Sequence, residues 1–299
     1  MHILKTVWEF ILTFFTLISL IFSNAPLKNS AYEAASPEEL IASFCVISDV
    51  HVETTNADTY KGFTKLLRGI KAGKNHDAAI FLGDNVMNGQ YIENYLFYSA
   101  VKHSEPAEQS LVALGNHDVG NGEGDYEKMR SSFLSFNKRK LGNDIEKPYY
   151  YKVINGCYLI FLATEDLTVN TYVMSDDQIS WLEETLDKAK AEGAPIFIFN
   201  HHPMLRLEGD DRFMLARLLN GYDNVLYVNG HIHAELTEYS FRHIGKVPTI
   251  TLPRVMGTDE YSAGVGIVIE VYESRVLVRA RNFIEGEWIE DLAYTYDLK

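Results

Sequence analysis

The chain is poor in cysteine and in positive charge, and each shortage excludes a class of protein. Its two cysteines, Cys45 and Cys157, lie in apolar strand-like runs, so we expect both to be buried and reduced. A zinc site made of cysteines is therefore excluded, and any metal must be held by carboxylate, amide or imidazole groups. The net charge of -14 argues against stable nucleic-acid binding, which needs a face rich in lysine and arginine.

The sequence also lacks internal repeats and any long stretch dominated by proline, serine or glutamine. Neither a solenoid nor a flexible linker between domains is therefore predicted. With 299 residues, of which 46% are hydrophobic, the chain can bury a large core. We expect a single domain over residues 36–299, preceded by a separate N-terminal segment over residues 1–35.

The N-terminal segment carries a long apolar run, residues 10–22, which follows a single lysine, Lys5. A helix of this length spans about 20 Å, which is short of the roughly 30 Å hydrocarbon core of a membrane. The run is typical of a signal peptide, with small residues for cleavage at 23–25 or 31–35, and an uncleaved membrane anchor stays open as the alternative. Both interpretations predict export, either as a secreted protein or facing outside on a membrane.

From residue 43 onward, short apolar runs repeatedly stop at a polar cluster. Each run is typical of a buried strand, because it is short, apolar on both faces and rich in valine, isoleucine or phenylalanine. The polar clusters that follow these runs are Asp49-Val50-His51, Gly83-Asp84, Gly115-Asn116-His117-Asp118, Asn200-His201-His202-Pro203 and Gly230-His231-Ile232-His233.

Between the runs, residues 60–72 and 89–103 carry apolar residues at helical spacing, which predicts two helices. A capping-box pattern at residues 175–178 predicts the start of a third helix that continues to Ala191. Alternating strands and helices predict an α/β fold, and hairpin patterns in the second half of the chain predict mixed sheets. The polar clusters then lie at the carboxyl ends of strands, where open α/β sheets bind ligands.

Taken singly, each cluster has an ordinary structural explanation. Asp84 at a strand end could simply cap the next helix, and His231 and His233 could lie in a solvated turn. Together, two aspartates, one asparagine and at least four histidines form an oxygen-and-nitrogen ligand set suited to divalent cations. Because such groups are costly to gather in a crevice without a cation, the combination favours a metal site.

The ordered series D-x-H, G-D, G-N-H-D, H-H-P and G-H-x-H, within residues 43–283, resembles the calcineurin-like metallophosphoesterase family. The resemblance implies a four-layer sandwich of two mixed β-sheets flanked by helices. It also implies two divalent ions, Mn, Fe or Zn, that share Asp84. The remaining ligands that it implies are Asp49, His51 and His233 for one ion, and Asn116, His201 and His231 for the other.

At two positions the sequence departs from better-known branches of the family, and these differences narrow the choice of branch. Met87 stands where purple acid phosphatases carry an iron-ligating tyrosine, which argues against purple iron(III) chemistry. The Asp-Arg-Gly of protein serine/threonine phosphatases is also missing after Asp84. The resemblance therefore implies a small-molecule substrate, either a phosphodiester or a small phosphomonoester.

The implied mechanism is in-line attack on phosphorus by a hydroxide that bridges the two ions. His117 and Asp118 are the candidate catalytic residues, with His117 either protonating the leaving alkoxide or only hydrogen-bonding a phosphoryl oxygen. The candidate substrate-binding residues are Asn116, His117 and His202, although His202 could instead support a ligand from behind. Arg206, Arg212 and Arg254 could contact a phosphate or be ordinary surface charges.

Two other functions would use the same residues. One is a metal-binding sensor or scaffold that has lost hydrolysis, and the other is a metal-dependent amidase that acts on the cell wall. The presence of every ligand position and of His117 favours an enzyme, and the order of the motifs favours phosphate esters.

Overall fold

The computed structural model describes residues 39–73, 76–209, 211–256 and 263–299. The signal-peptide or anchor prediction lies outside the described residues. Among the residues that are described, no helix is both long and apolar enough to span a membrane. In chain order, the strands and α-helices are β1 Ala42–Ile47, α1 Ala57–Gly73, β2 Ala78–Leu82, α2 Tyr91–Ser104, β3 Gln109–Ala113, α3 Tyr126–Phe136, β4 Tyr150–Ile154, β5 Cys157–Phe161, α4 Asp176–Ala191, β6 Ile196–Phe199, α5 Met214–Leu219, β7 Val225–Asn229, β8 Phe241–Ile244, β9 Val247–Thr251, β10 Val265–Val271, β11 Arg275–Asn282 and β12 Glu287–Asp297.

These strands form two mixed sheets of six strands each. The first sheet has the order β12-β11-β10-β1-β2-β3 and the second β4-β5-β6-β7-β9-β8. Strands β1, β2 and β3 are parallel, while β10 pairs antiparallel with β1. In the second sheet β5, β6, β7 and β9 are parallel, and the antiparallel β4 and β8 close its edges. The predicted mixed sheets are confirmed.

The side-chain alternation of each central strand separates two apolar layers. Phe44 and Val46 of β1 point between the two sheets, whereas Cys45 and Ile47 point to the outer face. The Phe44 ring meets the Phe197 ring of β6 across the inner layer, with centroids 5.8 Å apart. Helices α1, α2 and α3 cover the outer face of the first sheet, and α4 and α5 cover that of the second. The predicted four-layer α/β sandwich is confirmed.

Helix α4 begins with only half of the predicted capping box. The Ser175 hydroxyl accepts a hydrogen bond from the Gln178 amide nitrogen at 3.2 Å, as expected of an N-cap. The Gln178 side chain, however, bonds the main chain of Ala163. Its Oε1 atom accepts from the Ala163 nitrogen at 3.0 Å, and its Nε2 atom donates to the Ala163 carbonyl at 2.9 Å. The box is incomplete because this glutamine ties the helix to the end of the β5 strand instead.

The polar clusters leave the carboxyl ends of β1, β2, β3, β6 and β7 on one edge of the sandwich. At that edge the two sheets are joined by hydrogen bonds that involve the clusters themselves. The Nδ1 atom of His201, after β6, donates to the Leu82 carbonyl of β2 at 3.0 Å. This junction brings ligands from two sheets into one site.

Candidate metal centre

Two groups of potential ligand side chains meet at this edge, and they share Asp84. The ligand atoms of Asp49, His51, Asp84 and His233 all lie within 4.8 Å of one another, and so do those of Asp84, His201 and His231. Asn116 joins the second group, because its Oδ1 atom lies 3.0 Å from Nδ1 of His231. We call these the Asp49 group and the Asn116 group. The structure thus brings together all seven of the predicted metal ligands.

Asp49 presents one carboxylate oxygen to the centre and uses the other for support. Its Oδ2 accepts hydrogen bonds from the Ser48 hydroxyl at 2.5 Å and from the His231 main chain at 3.1 Å. Its Oδ1 lies 2.9 Å from Nε2 of His233 and 3.7 Å from Nε2 of His51. The carboxylate is therefore fixed in an orientation that leaves Oδ1 for a cation.

Asp84 shows the same division, but its free oxygen faces both groups. The Oδ1 atom accepts a hydrogen bond from the His117 main chain at 2.8 Å. The Oδ2 atom lies 3.0 Å from Nε2 of His201, in the Asn116 group, and 3.9 Å from Nε2 of His51, in the Asp49 group. A single oxygen atom therefore lies where a ligand shared by two ions is needed.

The nitrogen atoms at the centre also fit a cation. Nε2 of His201 is buried, and within the described part of the chain it makes no hydrogen bond of acceptable geometry. Nε2 of His51 and Nε2 of His233 lie only 3.1 Å apart. Gathering imidazole lone pairs and two carboxylates in a buried crevice is unfavourable without a positive charge between them. The donor set fits divalent ions that accept oxygen and nitrogen ligands.

Most of the ligand residues have a backbone conformation that non-glycine residues rarely adopt. Their φ angles lie between 49° and 71°, in the left-handed region. This conformation costs roughly 1–2 kcal/mol per residue and is concentrated at functional sites. It turns the side chains inward directly after each strand. The ligands with positive φ are Asp49, His51, Asp84, His231 and His233.

Two motif glycines let the backbone approach the carboxylates closely. A Cβ atom added at Gly115 would overlap the main-chain nitrogen and Oδ1 of Asp84. A Cβ atom added at Gly230 would overlap the Ser48 hydroxyl and Oδ2 of Asp49. These two positions therefore need glycine because of packing against the ligands.

The carboxylates and His201 shift each other's protonation. Burial raises the pKa of the Asp84 carboxyl, but the positive charge of His201 outweighs it, so the net pKa lies well below its usual range. Burial lowers the pKa of His201, but the charges of Asp84 and Asp49 outweigh it and raise the pKa to about 9. In the absence of metal, a proton on His201 supplies the positive charge that a cation would otherwise bring.

His202 lies behind the Asn116 group. Its side chain is fully buried, its Nε2 donates to the Val169 carbonyl at 3.1 Å, and its ring lies between those of Tyr172 and His231. Burial and the charges of His201 and His231 lower the pKa of His202 to about 3, so the ring is neutral at physiological pH. Of the two roles that the sequence left open, this geometry favours support of His231 over contact with substrate.

His117 faces the centre from the solvent side. Its Nδ1 atom donates to the Met87 carbonyl at 2.6 Å, which fixes the ring and its tautomer. Its Nε2 atom lies 4.0 Å from Oδ2 of Asp84, and the side chain is 18% exposed. The ring can therefore exchange a proton with a group bound over the centre.

Asp118 is turned away from the ring of His117. Its two oxygens accept hydrogen bonds from the main chain of Gly115, Asn85 and Val86 and from the Asn85 side chain, at 2.8–3.2 Å. Burial and the charge of Asp84 raise the pKa of Asp118 to about 7, although the backbone hydrogen bonds act in the opposite direction. The geometry favours a positioning role, tying the loop after β2 to the loop after β3, over the catalytic role that the sequence suggested.

Asn121 holds a candidate ligand, Asn116, and sequence reasoning missed it. Its Oδ1 atom accepts a hydrogen bond from Nδ2 of Asn116 at 2.9 Å, and its main-chain nitrogen donates to the Asn116 carbonyl at 2.7 Å. These bonds leave Oδ1 of Asn116 facing His231. The flanking Gly120 and Gly122 signal a turn, but nothing in the sequence names its partner.

The three arginines considered as phosphate contacts lie in different environments. Arg206 is half-buried, and its Nη1 atom lies 3.3 Å from Nε2 of His231. Arg212 is exposed and stacks on the Phe213 ring, 4.8 Å from its centroid, and Arg254 is half-buried. Of the three, Arg206 is the one whose described contacts include a residue of the centre.

The fold and the two ligand groups define a dinuclear metal-dependent hydrolase. The profile of the family described as calcineurin-like phosphoesterase matches residues 42–235, which is more than half of the chain. The chain therefore belongs to the calcineurin-like phosphoesterase family, as the motif series predicted, and is a metal-dependent phosphoester hydrolase.

Solved structures with the same fold support the architecture. A dimetal phosphatase from Danio rerio is 18% identical, with a TM-score of 0.62, over 87% of this chain and 100% of that one. The purple acid phosphatase PPD1 from yellow lupin (Lupinus luteus) seeds is 12% identical, with a TM-score of 0.60, over 86% of this chain and 53% of that one. At these identities the likeness shows the fold. Curated proteins gave no match.

Proposed function

We propose that this hydrolase cleaves phosphodiesters or small phosphomonoesters at a centre of two divalent ions. The observation that carries the proposal is the position of Oδ2 of Asp84, which faces His201 on one side and His51 on the other. A shared carboxylate oxygen holds two ions close enough to act on one phosphoryl group. Family membership supports phosphoester chemistry over the amide hydrolysis that was weighed as an alternative.

The seven ligand side chains would hold the ions in two sets. Asp49, His51 and His233 would hold one ion, Asn116, His201 and His231 the other, and Asp84 both. When bound, Mn, Fe or Zn ions activate water at neutral pH and neutralise charge on the phosphoryl oxygens. Of the described residues, Asp49 and Asp84 are the carboxylates in the two groups, so a loaded site attracts an anionic substrate despite the net charge of -14.

His117 would act as the general acid. With Nδ1 bonded to the Met87 carbonyl, the proton to be transferred is carried on Nε2, which faces the centre. Donating that proton to the departing oxygen avoids formation of a free alkoxide, and this contribution is largest for substrates whose leaving group is a poor one. Asp118 would assist by holding the loop from which His117 projects.

An assay of purified protein with defined metals tests this proposal. We expect hydrolysis of a diester or monoester panel after loading with Mn²⁺, Fe²⁺ or Zn²⁺, two ions per chain, and no hydrolysis after chelation. Two bound ions without turnover of any ester would instead support a sensor or scaffold. Cleavage of cell-wall peptides in place of esters would support an amidase.

Export of the enzyme is a separate proposal, and it rests on the apolar run at residues 10–22. A signal peptide would release the domain outside the cell, whereas an uncleaved run would keep it associated with the membrane. Expression of the full chain, followed by fractionation and N-terminal sequencing, distinguishes the two. Recovery of the full-length chain in the cytoplasm would contradict both.

A further inference from the structure

Arg206 places a fixed positive charge at the rim of the Asn116 group. It ends the short turn Met204–Arg206, directly after the H-H-P motif. Its Nη1 atom donates to the Asn170 carbonyl at 3.0 Å and also lies 3.3 Å from Nε2 of His231. The guanidinium is therefore held beside a metal ligand by a main-chain contact.

No carboxylate of the described residues forms an ion pair with Arg206. Glu208, two positions further along the chain, accepts a hydrogen bond from the Thr171 hydroxyl instead. A half-buried guanidinium without an anionic partner in the described part of the chain keeps donors available, and guanidinium is suited to binding phosphate through two parallel hydrogen bonds. The surroundings of Arg206 thus fit an anion that is supplied from outside the chain.

The orientation of His231 strengthens this interpretation. Its Nδ1 atom faces Oδ1 of Asn116, and therefore faces the ligand cluster. When Nδ1 binds an ion, the neutral ring carries its hydrogen on Nε2, which faces Arg206. Two donors would then point at each other with no acceptor, which is unfavourable. An anionic oxygen that accepts from both removes the conflict.

We propose that Arg206, together with Nε2–H of His231, binds a non-bridging oxygen of the substrate's phosphoryl group and favours phosphomonoesters over diesters. The proposal rests on the proposed function, and it adds a preference between the two substrate classes. A monoester near neutral pH carries up to two negative charges, because its second pKa is about 6, whereas a diester carries one. The fixed charge of Arg206 therefore stabilises the monoester more.

Inorganic phosphate is the probe that tests binding directly. Titration calorimetry on the metal-loaded protein should show that Arg206→Gln weakens phosphate binding by about 10- to 100-fold, and that Arg206→Lys weakens it less. The exposed Arg212→Gln is the matched control, and we expect it to bind phosphate like the unsubstituted protein. In kinetics, Arg206→Gln should lower kcat/KM for a monoester about 10-fold more than for a diester with the same leaving group.

Arg206 also anchors the loop at Asn170, so metal content and thermal unfolding are measured in parallel. Unchanged phosphate affinity in Arg206→Gln, or equal losses for monoester and diester, would overturn the proposal. If Arg206→Gln does not fold, Arg206→Lys alone decides, since the proposal requires weaker phosphate binding with two ions retained. Failure of the proposed function looks different, because the unsubstituted, metal-loaded protein would then cleave no ester at all.

Discussion

The two halves of the metal centre differ in charge. The Asp49 group has a carboxylate of its own and shares that of Asp84. The Asn116 group has only the shared carboxylate, completed by a neutral amide, and it has Arg206 beside it. An ion in the Asp49 group is therefore surrounded by more negative charge than an ion in the Asn116 group.

This difference indicates that the two groups contribute differently to metal binding and to substrate binding. The Asp49 group neutralises its ion more fully and should bind it more tightly. The Asn116 group leaves more positive charge uncompensated, and this is the charge that attracts a phosphoryl oxygen. Retention of metal and binding of substrate are thus favoured on opposite sides of Asp84.

The largest effect should follow removal of the shared charge. We expect Asp84→Asn to weaken both ions and to lower kcat/KM by at least about 1,000-fold, because Asp84 is the residue that the two groups of described residues share. Asn116→Ala should instead weaken one ion and spare the other. Metal stoichiometry by mass spectrometry and ester hydrolysis check both variants.

The matched control for Asp84→Asn is Asp223→Asn, which removes a surface carboxylate that pairs with lysines. It should retain two ions and full activity, since exposed pairs of this kind contribute little. Two tightly bound ions in Asp84→Asn would contradict the bridging role.

Loss of the general acid should have the next largest effect, and it tests the substrate side of the centre. His117→Ala should slow esters of alkyl alcohols by at least about 100-fold and nitrophenyl esters much less, because a good leaving group needs no proton. The exposed His103→Ala serves as the matched control. Equal losses on the two kinds of ester would remove the proposed role of His117.

The sequence could predict the polar clusters because their pattern is local. Each apolar run marks a buried strand, and the polar residues after it must lie at the strand's end whatever the rest of the chain does. The convergence of five strand ends follows from the layered α/β architecture. For that reason the sequence predicts the five clusters and the mixed sheets, whereas the choice of seven candidate ligands within the clusters comes from the family resemblance.

Features that depend on partners distant in the chain could not be predicted from the sequence. Which oxygen of Asp84 is free depends on the His117 main chain, 33 residues away, and the Gln178 amide bonds Ala163, just past strand β5, rather than its own helix start. Strand β12 has two buried residues in eleven, and polar residues interrupt its apolar ones, so it lacks the apolar run by which the buried strands were identified. Tertiary contacts decide these features, and local periodicity does not contain them.

The charge balance at the centre should be visible in the stability of the metal-free protein, which should change with pH. The pKa of His201 in the fold, about 9, lies above the usual value of 6.5, so its contribution to stability is complete below pH 6.5. That contribution is lost as the pH rises through about 9, and it is on the order of 3 kcal/mol in the free energy of unfolding. Urea unfolding with chelator, from pH 6 to 10, measures it. Metal-saturated protein should lack this slope, since the ion displaces the proton, and a flat profile in chelator would refute the assignment.

The smallest effect should come from Asn121, and it sharpens the comparison between the two halves. Asn121→Gly keeps the positive φ angle of 53° but removes the oxygen that orients the Asn116 amide, so it should weaken the ion of the Asn116 group by about 10-fold. Asn121→Asp keeps an acceptor in the same place and should bind that ion at least as well. The ion of the Asp49 group should be unaffected in both variants, because no contact links Asn121 to its ligands among the described residues. Stepwise calorimetric titration separates the two ions, and an equal loss at both steps would mean that Asn121 supports the loop as a whole rather than one ligand.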